Sequence, residues 1–157
     1  MLAPPNYGSE YAARFNSIYP DLAKSEGVAL YPFFLDGVAA DARLNQADGI
    51  HPTAEGVGII VNNIMPTVEA FLGTHPAVKV VSVVGVPDEK YQEVPAAFVE
   101  RVPGATVTEE ELIGHCKGQI ASFKVPRYVR FVEEWPISAT KIQKFRLRDS
   151  LVSELGL

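Results

Sequence analysis

The sequence has few of the residues that cross-link small secreted domains, since it contains one cysteine, Cys116, among 157 residues. A single cysteine excludes an internal disulfide and is typical of a reducing compartment. The sequence also has no run of about 18 apolar residues, which argues against a transmembrane helix. Its N-terminus has neither the basic region nor the apolar stretch of a secretory signal. These absences predict a cytoplasmic protein with no membrane partner.

Positive charge is scarce as well: 14 lysines and arginines face 19 acidic residues, for a net charge of −5. This balance argues against a nucleic-acid partner. One segment is locally basic, from Lys141 to Arg148, and its field can attract an anionic ligand. His75 and His115 are not spaced with other ligands, so the sequence predicts no metal site, and it predicts no bound cofactor.

The first half of the chain has an α/β pattern with few strands. Apolar residues recur at helical spacing over 9–24, where Ser9 is placed to cap a helix that Gly27 ends. The almost wholly apolar run 28–34 predicts a buried strand of a parallel sheet. A loop then covers 36–52, and Pro52-Thr53 opens a helix of about 18 residues that Pro66 should bend or end early.

The pattern changes near Gly73. Strands are predicted at 78–86, 94–102 and 127–131, with a last helix at 144–154. Thr108 and Glu111 form a capping box that opens a helix running to about residue 120, on which Cys116 should be a small buried side chain. The predicted fold class is therefore α+β or mixed α/β, with one domain over residues 1–72 and a small three-stranded α+β subdomain over residues 73–157.

Asp48 and His51 lie three residues apart in the predicted loop. This spacing lets the carboxylate orient the imidazole, which could then take a proton from a serine hydroxyl as in a hydrolytic triad. No serine has a recognisable nucleophile setting. The alternative interpretation is a loop aspartate that caps the following helix beside a partly exposed histidine.

Three segments of residues 1–72 are distinctive: Ala3-Pro4-Pro5-Asn6-Tyr7-Gly8, Tyr31-Pro32-Phe33-Phe34-Leu35 and Asn45-Gln46-Ala47-Asp48-Gly49-Ile50-His51-Pro52. Together they resemble the C-terminal part of a GDSL-type (SGNH) esterase. The resemblance implies a truncated flavodoxin-like segment in which Asp48 orients His51 and His51 is the general base. The family's Gly-Asp-Ser nucleophile block and its oxyanion-hole blocks are absent from the sequence.

Four segments of residues 75–157 are distinctive: His75-Pro76-Ala77-Val78, Val84-Gly85-Val86-Pro87-Asp88-Glu89, Phe123-Lys124-Val125-Pro126 and Pro136-Ile137-Ser138-Ala139-Thr140-Lys141-Ile142-Gln143-Lys144. In this order they resemble the C-terminal subdomain of acyl-CoA synthetases, in the adenylate-forming superfamily. The resemblance implies that Lys141 contacts the carboxylate and an ATP phosphate during adenylation; the alternative is a solvated lysine in a basic tail. The glycine that the family has before this lysine is missing, so that Thr140 runs directly into Lys141, and Gln92 stands where the family usually has glycine before Glu93.

Two truncated families joined near Gly73 indicate a chimera-like chain, and three functions follow. The first is a weak carboxylester hydrolase that uses Asp48 and His51 on short activated esters, with a small-molecule ester or acyl substrate. The second is a non-catalytic fusion or recombined scaffold. The third is a detached ATP-dependent acyl-CoA ligase subdomain. The strand at 28–34 would expose unpaired edges, so it should pair with the 78–102 strands in a hybrid core or with another copy of the chain.

Overall fold

The computed structural model describes residue 3 and residues 5–28 and 30–157. It is a mixed α+β structure, which confirms the predicted class. The helices are α1 (Ser9–Glu26), α2 (Ala54–Leu72), α3 (Glu109–Cys116) and α4 (Lys144–Leu155). The strands are β1 (Val78–Asp88), β2 (Gln92–Arg101), β3 (Tyr128–Phe131), β4 (Ile137–Ser138) and β5 (Lys141–Ile142). Short 3-10 turns lie at Pro5–Tyr7 and Ser122–Lys124.

The core is a three-stranded sheet in the order β1-β2-β3, covered by helices on both faces. β1 pairs antiparallel with β2, and β2 pairs parallel with β3. Neighbouring side chains of a strand point to opposite faces. Val83 accordingly faces a cluster that includes α2 and α3, whereas Val84 faces a cluster with Leu147 and Leu151 of α4.

The second helix begins as the sequence predicts but does not end early. The Thr53 hydroxyl accepts a hydrogen bond from the Gly56 N–H at 3.3 Å, so Thr53 is the N-cap of α2. Pro66 lies within α2, which continues to Leu72. Proline has no N–H, so Pro66 leaves the Asn62 carbonyl without its donor within the helix. Because Pro66 and Asn62 are both exposed, this carbonyl is on the outer side of the helix, where water can donate to it.

The predicted strand at 28–34 is wrong: the described residues of this run form no strand, and Ala29 lies outside the described residues. The chain instead forms hydrogen-bonded turns, with the Val38 N–H donating to the Leu35 carbonyl at 3.0 Å. These turns bury Val38 and Leu44 in the same cluster as Val83. The described residues of 28–34 therefore do not make the predicted pairing with the 78–102 strands; instead, the side chains of Val38 and Leu44 pack in the cluster that contains Val83.

The close contact between these turns and α2 depends on Gly56. A Cβ at this position would overlap the Leu44 carbonyl oxygen and also press on Pro52 and Val38. Only a glycine lets the first turn of α2 approach the backbone this closely.

Glu69 of α2 joins three elements of the core. Its Oε1 accepts hydrogen bonds from the Val83 N–H of β1 at 2.6 Å and from Lys144 Nζ at 2.7 Å. Lys144 Nζ also donates to the Val83 carbonyl at 3.3 Å. The start of α4 is thereby held against β1 and α2.

The first helix packs differently from the others, because none of its residues is buried. It ends at Gly27, which adopts a left-handed φ of 65°, as the sequence predicts. Its N-cap is Gly8 and no side chain caps it, so the predicted capping role of Ser9 is wrong. Among the helices in the described part of the chain, none is long and apolar enough to cross a membrane.

The left-handed φ of 68° at Gln92 gives a first testable prediction. In the folded state, the left-handed conformation costs a residue with a Cβ about 1–2 kcal/mol more than it costs glycine. Against this gain, glycine lowers stability by about 0.5–1 kcal/mol, because it loses more conformational entropy on folding. We expect Gln92→Gly to raise the free energy of unfolding by about 0.5–1 kcal/mol in urea titrations. The control is Glu89→Gly in the same turn, which has no left-handed φ and should lower stability. A fall in both variants would contradict this account.

The burial of Cys116 gives a second prediction. The side chain is fully buried in the cluster on the α3 face, and burial raises the pKa of its thiol to about 11. Because the thiolate is the reactive form, we expect Cys116 in the native protein to react with a disulfide reagent at neutral pH at least about a hundredfold more slowly than a free thiol. The same protein in concentrated guanidinium chloride is the control and should react at the ordinary rate. Fast labelling of the native protein would show that this part of the core opens readily.

Candidate functional site

Asp48 and His51 meet in the loop that precedes α2, as their spacing predicts. His51 Nδ1 lies 2.7 Å from Asp48 Oδ2, while the backbone N–H groups of Ile50 and His51 donate to Asp48 Oδ1 at 2.9 and 3.0 Å. The hydrogen bond from His51 and those two backbone donors hold the pKa of Asp48 well below its usual range. The contact would orient the imidazole, but both side chains are open to solvent, with exposures of 69% and 45%.

No hydrogen bond joins a serine hydroxyl to His51 among the described residues. The three serines of the first 72 residues all lie on α1. The hydroxyls of Ser17 and Ser25 donate to the carbonyls of Arg14 and Leu22 within their own helix. The geometry therefore supplies an oriented base without a nucleophile, and such a base alone contributes little rate.

Lys141 lies at the exposed end of a small hairpin. β4 pairs antiparallel with β5, so that Ser138 faces Lys141 across the hairpin and Ile137 faces Ile142. Ile142 packs against the α4 cluster, and the adjacent Gln143 N–H donates to the Pro136 carbonyl at 2.7 Å. Because neighbouring side chains of a strand alternate, this packing turns Lys141 away from the core.

The structure also shows a buried lysine that the sequence analysis did not single out. Lys124 is 5% exposed, and its Nζ lies 5.0 Å from the ring centre of Tyr31 and 5.9 Å from that of Phe123. Burial lowers the pKa of this lysine. Its only signal in the sequence is its place in the Phe123-Lys124-Val125-Pro126 segment, because nothing in that segment predicts that Tyr31 lies above it.

An apolar cleft of about 450 Å³ opens between α2 and the start of β2. Phe34 and Phe123 form one wall, with ring centres 5.1 Å apart. Glu93 and Arg127 are its charged side chains. Burial raises the pKa of Glu93, and the charge of Arg148 partly opposes this effect.

The described residues contain no group of three or more His, Cys, Asp or Glu side chains that could hold a metal ion. His75 and His115 do lie together, with ring centres 5.1 Å apart, and His115 also stacks on Phe71. This arrangement packs the end of α2 against α3.

The AMP-binding enzyme C-terminal domain family matches residues 67–141. The match begins within α2 and ends at Lys141, so it includes the whole three-stranded sheet and the hairpin turn. It covers slightly less than half of the chain.

Individual relatives agree with this match. The chain is 46% identical over 97 residues to the putative acyl-CoA synthetase YngI of Bacillus subtilis (strain 168). The aligned region covers 60% of this chain and 18% of that protein. It is 45% identical over 97 residues to the mitochondrial medium-chain acyl-CoA ligase ACSF2 of Danio rerio, covering 60% and 16%. The crystal structure of Brucella canis acyl-CoA synthetase is 42% identical with a TM-score of 0.51, covering 56% of this chain and 17% of that one.

These findings correct the functional prediction. They support the acyl-CoA synthetase segment and give no support to an SGNH segment, so the interpretation as a carboxylester hydrolase of the GDSL type is wrong. The chain spans less than a fifth of the length of these relatives. Residues 67–141 are therefore similar to the C-terminal domain of acyl-CoA synthetases, the third of the functions considered from the sequence.

The exposed Asp48–His51 pair gives a third prediction. Because no serine is held at His51, we expect hydrolysis of p-nitrophenyl acetate by the purified protein to be equal to that of His51→Ala within about twofold. The matched control is His75→Ala, which removes a histidine outside the loop. A loss of activity confined to His51→Ala would show that the pair acts as a base.

Proposed function

We propose that the region from residue 67 onward acts as the C-terminal subdomain of an ATP-dependent acyl-CoA ligase. In this proposal it presents Lys141 to an active site on a large ATP-binding domain that lies outside this sequence. The observation that carries the proposal is the position of Lys141, which ends the matched family range and is exposed at the hairpin. The substrates would be a carboxylic acid of the kind that the relatives activate, together with ATP and CoA.

The chemistry of a lysine suits this position. An ammonium group is a compact charge that binds phosphate and carboxylate oxygens. It would stabilise the negative charge that develops when the carboxylate attacks the α-phosphate of ATP and pyrophosphate leaves. The side chain must cross from the hairpin to the other domain, which requires a flexible stem and an exposed start. Lys141 has both, because a lysine side chain is a flexible four-carbon stem and Lys141, like its strand partner Ser138, is exposed.

Exposed apolar side chains near Lys141 favour a contact surface at this end of the molecule. Ile137 is 57% exposed and Phe145 is 59% exposed, and they precede and follow Lys141 in sequence. Such side chains beside a functional lysine are typical of a surface that a partner domain covers.

The turn of the hairpin departs from the family pattern. Ala139 adopts a left-handed φ of 55°, and the glycine that the family usually has before the lysine is missing, so that Thr140 directly precedes Lys141. Both residues carry a Cβ, which narrows the backbone conformations available to the turn. We infer that Lys141 is held in a more restricted orientation than in relatives that have glycine there.

The proposal gives a fourth prediction, tested by adding the chain to a large domain. The large domain would be that of Bacillus subtilis YngI, truncated before its own C-terminal part. With ATP, CoA and a medium-chain fatty acid, we expect the chain to raise the rate of pyrophosphate release. Lys141→Ala should make that increase about a hundredfold smaller. In other enzymes, loss of one group that stabilises transition-state charge lowers the rate by about this factor.

The matched control is Lys24→Ala, which removes an exposed lysine from α1 outside the matched range. It should leave the increase unchanged. An increase that Lys141→Ala does not affect, or no increase at saturating amounts of the chain, would contradict the proposed function.

A further inference from the structure

Helix α1 carries an apolar seam, formed by Tyr11, Phe15, Ile18 and Leu22. The intervals between these residues are four, three and four, the spacing of the seam that one helix presents to another in a coiled coil. Tyr11, Ile18 and Leu22 are 46%, 52% and 55% exposed. The seam is therefore an apolar surface that the described part of the chain leaves largely open to water.

A row of aromatic side chains in mutual contact includes Tyr11 and Phe15 of this seam. The ring centres of Tyr7 and Tyr11 are 5.2 Å apart, those of Tyr11 and Phe15 are 5.9 Å apart, and those of Phe15 and Tyr19 are 6.0 Å apart. Contacts between rings at these distances are favourable and restrict the side chains. A continuous, ordered apolar ridge of this kind is typical of an interaction surface.

The charged residues beside the seam indicate what covers it. Arg14 directly precedes Phe15, and Asp21 directly precedes Leu22, so both lie on the same flank of the seam and two helical turns apart. Arg14 also pairs with Glu10 at 2.9 Å on the exposed surface of the helix. One flank thus has a positive charge near the start of the helix and a negative charge near its end.

We propose that α1 pairs antiparallel with α1 of a second copy of this chain. In this register Phe15 faces Ile18 of the second copy, and Tyr11 faces Leu22 of the second copy. The same register brings Arg14 beside Asp21 of the second copy. Two-fold symmetry repeats each of these contacts, so the surface is complementary to itself in shape and in charge.

A parallel pair of the same helices is disfavoured by charge. In the parallel arrangement the flank residue Asp21 lies beside Glu26 of the second copy, because flank positions meet residues five further along the partner. Two carboxylates then face each other and Arg14 meets Tyr19. The antiparallel arrangement removes this repulsion and also places the helix dipoles in opposition.

The size of the seam sets the strength of the association. An α-helix of 18 residues is about 27 Å long and gives only two contact layers on each side of the two-fold axis. Such a pair should be reversible and concentration-dependent. It is also separate from the hairpin that carries Lys141, so its outcome does not depend on the proposed ligase function.

The fifth prediction is measured by sedimentation equilibrium of the full chain over a wide range of concentrations. We expect the weight-average mass to rise from that of a monomer toward that of a dimer. Phe15→Lys should lower the association constant at least about a hundredfold, because it places two ammonium groups in the central layers. Circular dichroism would confirm that the variant keeps its helix, which the absence of buried residues on α1 makes the expected result.

Charge exchange tests the register directly. Arg14→Asp and Asp21→Arg should each lower the association constant by roughly three- to tenfold, since each variant places like charges together twice. The double variant carrying both changes should restore most of the loss, which only a contact between these two positions predicts. Lys24→Asp, away from the seam, is the matched control and should have no effect.

Two results would overturn the proposal. The first is a chain that stays monomeric throughout the concentration range. The second is a dimer that neither Phe15→Lys nor the charge exchange weakens, which would place the interface on another surface.

Discussion

One carboxylate, that of Glu69, connects the three elements on which the architecture depends. Its Oε1 accepts hydrogen bonds from the Val83 N–H and from Lys144 Nζ, so a helix, a strand and the beginning of the last helix meet at a single oxygen. Removal of this carboxylate would leave the Val83 N–H without its acceptor and would leave the Lys144 ammonium group with only the Val83 carbonyl at this contact. The cost of leaving such groups unpaired exceeds the net gain from forming the bonds.

The same contact bears on the position of Lys141. Lys144 follows Lys141 by three residues, and its ammonium group is fixed against β1. Between them, Ile142 packs on the α4 cluster, so the hairpin is anchored on the side next to the core while its outer side stays open. A rigid base with an exposed lysine is the arrangement that precise placement of a charged group requires.

The sequence analysis was most accurate for features that depend on residues close together in the chain. The capping box of Thr108 and Glu111 is present, with both of its hydrogen bonds, and the three main strands form. It failed where distant contacts decide: the run 28–34 is apolar enough for a strand, but its described residues pair with no strand of the sheet. Pro66 stays within α2 because the Asn62 carbonyl, to which it cannot donate a hydrogen bond, belongs to an exposed residue. The Asp48–His51 contact was also local and correct, yet a local contact does not establish a hydrolase.

The first part of the chain contributes to the structure through packing more than through local motifs. Val38 and Leu44, with Ile60, Ile64 and Met65 of α2, add to a core whose other buried side chains come from the region that matches the AMP-binding enzyme C-terminal domain family. Gly56 permits that contact, since any larger residue would push the turns away from α2. Helix α1, in contrast, adds no buried residue to this core. A helix whose apolar seam is left uncovered by the described part of the chain keeps its hydrophobic free energy available for association, and this is the physical reason to expect its partner outside the core.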